Sequence, residues 1–465
     1  MSAAPIQLSP SHLGLVNAHN QNVPPGTLEE CNRLLQQNHE TFHMFFRDTA
    51  GHNHIVHSLL TVLALGGTPQ DLRDRYDDGV PIQRPLPAIN TALLSTLLTT
   101  DTNTDTDTVL LESLGSVAHY PTFLAFFQHQ IASSNNNWKA VVQRYLFARA
   151  PLADALLARM FEGAYHPLIH LGLGIEFAQP ALIAEALAQA AAHDDSHIGT
   201  LFRHAEAEAG IAYPSNKGKG KAMMELLREV RETEAIRTAP RWTDFGNKMR
   251  DGIVGRAGEA MASVAAQFQI RIQDDGEAEL ARRTAEMLNV CAFMAGAAQR
   301  AGRPRKIDFF YMHAVTSSLF VDVIAQQTDW ISLADRARVV EWKARLDLAW
   351  YAVCGSAALD GEFIEGYSHP DSDGLGWDEL FAAVVREHDD GHAAKFLRAL
   401  KNGEDRCKRY AESEEHGAAD FPMKGDMWLR LARMCHDTTK GRPTDLKWIP
   451  FTGFEQPWAR PDLAK

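Results

Sequence analysis

Cysteine is scarce: Cys31, Cys291, Cys354, Cys407 and Cys435 are odd in number, scattered and without CxxC spacing. That pattern argues against a disulfide framework or a thiolate metal motif and points to reduced thiols. An excess of positive charge is missing as well. The formal net charge of −13 argues against nucleic acid or an anionic membrane as the main partner, because both call for clustered cations. No apolar run approaches the length of a membrane span, and MSAAPIQLSPSH has neither a basic n-region nor an apolar core, so the expected location is the cytoplasm. GxGxxG after a strand, GxxxxGK[ST], HExxH and GxSxG are all absent, which removes the usual support for flavin, nucleotide, zincin and hydrolase chemistry. There is no sustained apolar/polar alternation and no repeat of fixed period.

What remains is helical periodicity. With 465 residues, 45% of them hydrophobic, the chain can bury a large core. The expected fold is all-α: one large helical assembly over residues 1–465, with an extended arm at 1–26 and an irregular strap at 442–465. The most apolar stretch is GHNHIVHSLLTVLALGG, residues 51–67. Asn53 stands where an N-cap belongs, and the apolar residues after it leave almost no polar face, which predicts a helix buried on all sides. Thr68-Pro69 then caps a short helix ending at Gly79. DTNTDTDT, residues 101–108, reads as an exposed polar loop, and PSNKGKGK, residues 214–221, as a linker. The helix LADALLARMFEGAY is expected to break at His166-Pro167.

Chemistry must then come from histidines in apolar surroundings. His54 and His57 lie three apart on a first helical turn, His166 and His170 flank Pro167, His313 sits in DFFYMHAVTSSLF, and His392 lies three before Lys395 in HDDGHAAKFLRAL. Each also reads as an ordinary satisfied core or surface group. A buried neutral lysine can take up carbon dioxide as a carbamate and ligate as a carboxylate does. Imidazoles with one such oxygen suit a non-haem ferrous site.

NHIVHSLLTVLALGGTPQDLRDRYDDG, HPLIHLGLGIEF with QPALIAEALAQAA, HAVTSSLF and DDGHAAKFLRAL together resemble the questin oxidase-like family of fungal secondary metabolism, over most of the chain from about residue 38 to 435. The resemblance implies an oxygenase that opens the central ring of an anthraquinone of the questin or emodin type, or its hydroquinone, using dioxygen. It implies Fe(II) held by His57, His170, His313 and His392 with a carboxylated Lys395, and leaves His54 and His166 as candidate catalytic bases. Phe309, Tyr311 and Trp350 are the expected walls for a flat substrate.

Two alternatives accompany that reading. One is a metal- and flavin-independent Baeyer-Villiger-type monooxygenase, with no cofactor or with NADPH. The other is a helical binding protein whose histidines are structural.

Overall fold

The computed structural model describes residues 5–463, apart from 19, 21, 49–50, 100–102, 213–219, 274 and 412–419. Among them the fold is all-α, and β pairing is limited to three isolated bridges: Phe42 with Pro85, Phe45 with His52, and Asp308 with Ile449. The helices gather into two compact units, Met1–Asp195 with His388–Lys395, and Ser196–Glu387 with Phe396–Lys465.

In the first unit the helices that matter are α1 (Thr27–Thr41), α2 (Ile55–Ala64), α3 (Tyr120–Ser133), α4 (Pro151–Met160), α5 (Glu162–Glu176) and α6 (Pro180–Ala192). Every residue of α2 is buried, as its sequence predicts. The Asn53 side chain accepts from the Ile55 amide at 2.9 Å and donates to Asn38 of α1 at 2.8 Å, so it both caps α2 and ties it down. Gly66, at φ +81°, turns the chain out of the helix in a left-handed conformation that only glycine adopts cheaply. The buried Ile and Leu side chains contribute about 1.5–3 kcal/mol each, which offsets the cost of enclosing His57 among them.

Helix α5 carries the break expected near Pro167, displaced toward its start. Gly163, Ala164 and Tyr165 take left-handed φ values of +55°, +55° and +68°. Regular helix therefore begins again at His166, and Pro167 falls in a first turn where its missing N–H is not needed. One consequence is that His166 and His170 share a single helix. A Cβ on Gly174 would meet Ile183 of α6 at 2.8 Å, so this glycine lets the two helices close on each other. The N-terminal arm is pinned by three side chains: the Ile6, Gln7 and Leu8 amides donate to Gln36, Gln179 and Asn32.

One expectation is corrected. Within DTNTDTDT, residues 103–108 are helical, as the first part of a helix Asn103–Ser113, rather than an exposed loop. Thr106 is buried and Asp107 pairs with Arg144 at 2.9 Å, so tertiary contacts override a polar composition. Most of PSNKGKGK lies outside the described residues.

In the second unit, α7 (Gly276–Ala297), α8 (Phe309–Ala325) and α9 (Leu333–Val353) form the centre. The C-terminal strap belongs to this core: Ile449, Trp458 and Leu463 are buried together, and the Asp308 carboxylate accepts from the Thr452 amide at 2.7 Å. Helix α10 (His392–Ala411) starts in the first unit and runs on into the second.

Candidate active site

Three elements of the first unit meet at a group of imidazoles. His54 is the N-cap residue of α2, His166 opens the regular part of α5, and His392 opens α10. Ring nitrogens of these three lie within 4.8 Å of one another. Gly391 makes the approach of α10 possible: its φ is +85°, and a Cβ there would stand 2.9 Å from the Ser58 Cβ on α2.

Second partners orient these rings. His166 Nδ1 lies 2.5 Å from the Gly163 carbonyl, and because a carbonyl can only accept, the proton sits on Nδ1 and the neutral ring keeps its lone pair on Nε2. His392 Nδ1 donates in the same way to the Asp390 carboxylate at 2.5 Å. An imidazole held at one nitrogen by a carbonyl or carboxylate, with the other nitrogen presented, is the usual arrangement of a metal-ligating histidine. His54 Nε2 and His166 Nε2 are 2.7 Å apart. Two ligands at bonds of about 2.0–2.1 Å to one ion stand roughly 3 Å apart or more. A small outward turn of either ring would admit an ion.

His57 and His170 form a neighbouring and different arrangement. His57 Nε2 meets His170 Nδ1 at 3.2 Å, His170 Nε2 meets one Glu185 oxygen at 2.8 Å, and the other Glu185 oxygen takes His39 Nδ1 at 2.6 Å. Both nitrogens of His170 are thus engaged by side chains. Burial pushes the Glu185 carboxyl up, but the charge on His39 and hydrogen bonds from His170 and His39 outweigh it and bring it down to about 2. The expected ligand His170 is therefore tied into a hydrogen-bonded chain.

Burial, and then the charge on Lys395, holds His54 and His57 well below the ordinary imidazole range, so both are neutral near pH 7. Burial also pushes Lys395 down to about 8, with Asp390 and Asp389 pulling it back up. Its Nζ is buried with no hydrogen-bond partner, and so is His57 Nδ1.

The remaining expected residues lie in the second unit. His313, fully buried on α8, donates from Nδ1 to the Phe309 carbonyl at 2.7 Å, the same anchoring that His166 has. The Phe309 ring packs on His313 at 4.4 Å, and Trp350 of α9 stacks on Phe310 at 4.5 Å. Tyr311 is fully buried and donates to the Tyr351 carbonyl at 3.4 Å.

Sequence reasoning missed His52, whose ring stacks on His166 at 4.2 Å, and Glu185, Asp390 and Gly163. For Glu185 a signal existed: it is the single charge in QPALIAEALAQAA, and a lone carboxylate in a buried alanine-rich helix must have cationic or N–H partners. His52, Asp390 and Gly163 act through contacts that no spacing rule contains.

The sequence pattern described as questin oxidase-like matches residues 51–400. A Baeyer-Villiger monooxygenase of Cryptosporiopsis sp. is 64% identical over 464 residues, covering the whole of both chains. A Baeyer-Villiger oxidase of Paecilomyces divaricatus is 62% identical over 461 residues, 99% of this chain and 96% of that one. A questin oxidase of Aspergillus fumigatus is 44% identical over 468 residues, 98% of each chain.

Proposed function

Because this chain belongs to the questin oxidase-like family, we propose that it opens the central ring of an anthraquinone, or of its hydroquinone, with dioxygen in fungal polyketide metabolism. The relatives are named oxidases and monooxygenases, and the chain is an oxidoreductase. That weighs against the binding-protein alternative.

The observation that carries the mechanism is the grouping of His54, His166 and His392, with His166 and His392 held at Nδ1 by Gly163 and Asp390. We assign these three as ligands of Fe(II), with His313 carried as a fourth on its sequence and its own Nδ1 anchor. This reverses the expected division, in which His57 and His170 were ligands and His54 and His166 bases, because His170 has both nitrogens engaged. Lys395, buried and partly neutral near pH 7, suits carbamate formation and is the proposed oxygen ligand. Bound iron would supply electrons to dioxygen beside an electron-rich ring. Phe309 and Trp350 are proposed walls for the flat substrate, and Tyr311, by its burial, the support behind them. Five free, buried cysteines fit a cytoplasmic location.

A second reading, metal-free Baeyer-Villiger oxidation with or without NADPH, is favoured by the names of the relatives. Metal analysis of protein purified without a histidine tag separates the two. The iron reading expects about one iron per chain, and loss of both iron and dioxygen uptake in His166→Ala. Less than about a tenth of an equivalent of iron with full activity in chelator overturns it.

A further inference from the structure

We propose that Glu185, His170 and His57 form an orienting relay that presents His57 Nδ1 as the base taking the proton from a substrate phenol or hydroquinone; the proposal rests on the anthraquinone reading above. The assignment follows from accounting for each ring nitrogen in turn. The Glu185 carboxylate only accepts, so the hydrogen between it and His170 lies on His170 Nε2. The neutral His170 ring then has its lone pair on Nδ1, which accepts from His57 Nε2 at 3.2 Å. With its hydrogen fixed on Nε2, neutral His57 is left with a lone pair on Nδ1, fully buried and without a partner. That ring lies beside the proposed ligands, with centroids 5.8 Å from His54 and 6.1 Å from His166.

The cost of this arrangement suggests its purpose. A carboxylate inside the apolar helix α6 is expensive to bury. His39 holds its second oxygen at 2.6 Å and keeps it charged, so the first oxygen can fix His170. An acid, an imidazole and a reacting group in series is the logic by which a base is held in one tautomer and the cation it becomes is stabilised. In the step proposed, the substrate O–H bond breaks, its electron pair stays on oxygen, and the proton forms an N–H bond at His57 Nδ1. No electrons change hands. The resulting imidazolium keeps its Nε2–H toward His170, and the Glu185 charge offsets it through one intervening ring. The phenolate so formed is the electron-rich species that ring opening requires. Glu185 and His170 are positioning residues, and His57 alone touches the substrate.

The test is anaerobic binding of emodin to the purified, metal-containing protein, at a pH where free emodin is fully protonated. Ionising a hydroxyanthraquinone moves its visible absorption to longer wavelength, so the phenolate fraction is read directly at equal occupancy. Wild type is expected to show the phenolate band. His57→Gln is expected to lose it by about tenfold or more, and Glu185→Gln by several-fold, with iron content unchanged in both. The relay is overturned if the band survives in His57→Gln, or if that variant loses its iron, since His57 would then be a ligand. If wild type binds no emodin, the anthraquinone reading itself falls and takes the relay with it. Circular dichroism checks folding; should His57→Gln not fold, Glu185→Gln decides, and an undiminished band there overturns the relay.

Discussion

Replacing Gly391 by alanine tests whether the approach of α10 to α2 builds the site. Gly391 has φ +85°, and an added Cβ would meet Ser58 at Cβ 2.9 Å, Oγ 3.0 Å and Cα 3.1 Å. Left-handed backbone costs an alanine about 1–2 kcal/mol. The contact cannot be relieved by a rotamer change, because the Ser58 Cα belongs to the fully buried α2, and overpacking of this kind costs about 1–3 kcal/mol. Gly391→Ala should therefore destabilise by about 3 kcal/mol and displace His392, the next residue. Urea unfolding and iron stoichiometry, measured on the same preparation, read both effects. Adding Ser58→Gly should recover only the contact part of the loss, since the strained φ remains. Gly210→Ala is the control: Gly210 is exposed in a helix with nothing within 4 Å, and alanine there should stabilise by up to about 1 kcal/mol. A Gly391→Ala protein with wild-type urea midpoint and iron content would refute the reasoning.

Asp390→Asn removes the carboxylate from His392 Nδ1 while leaving the residue's size unchanged. Iron affinity should fall about 10–100-fold, measured by chelator competition, with the thermal midpoint almost unmoved because the side chain is a quarter exposed. The Glu185–His39 pair predicts a stability window. Glu185 is depressed from 4.5 to about 2, so its contribution is complete above pH 4.5 and is lost as pH falls toward 2. His39 is raised above 6.5: burial pulls it down, but the Glu185 charge and hydrogen bond outweigh that, so its contribution is complete below pH 6.5 and is lost as pH rises through its folded value. Urea midpoints from pH 2 to 9 should show both limbs, and Glu185→Gln should flatten both; an acid limb unchanged in that variant would count against the assignment.

Much of the fold was legible in the sequence. The predicted buried helix at 55–64, the capped helix beginning at Thr68-Pro69 and the break near Pro167 are all present, because local steric rules and apolar periodicity act over a few residues. DTNTDTDT misled because its helix is held by contacts that composition does not record. The histidines of the site were visible as a set in apolar settings, and their division was not. His54 and His57 differ by three residues on one turn, yet one meets His166 and the other meets His170.

By itself the sequence determined the helices, the absence of nucleotide and thiolate motifs, the histidine-rich character and the family. Tertiary structure alone decided which imidazole nitrogens carry hydrogen and which carry lone pairs. A neutral imidazole has one proton and two nitrogens, and its placement depends on an acceptor brought from elsewhere in the chain: the Gly163 carbonyl for His166, Asp390 for His392, and Glu185 for His170.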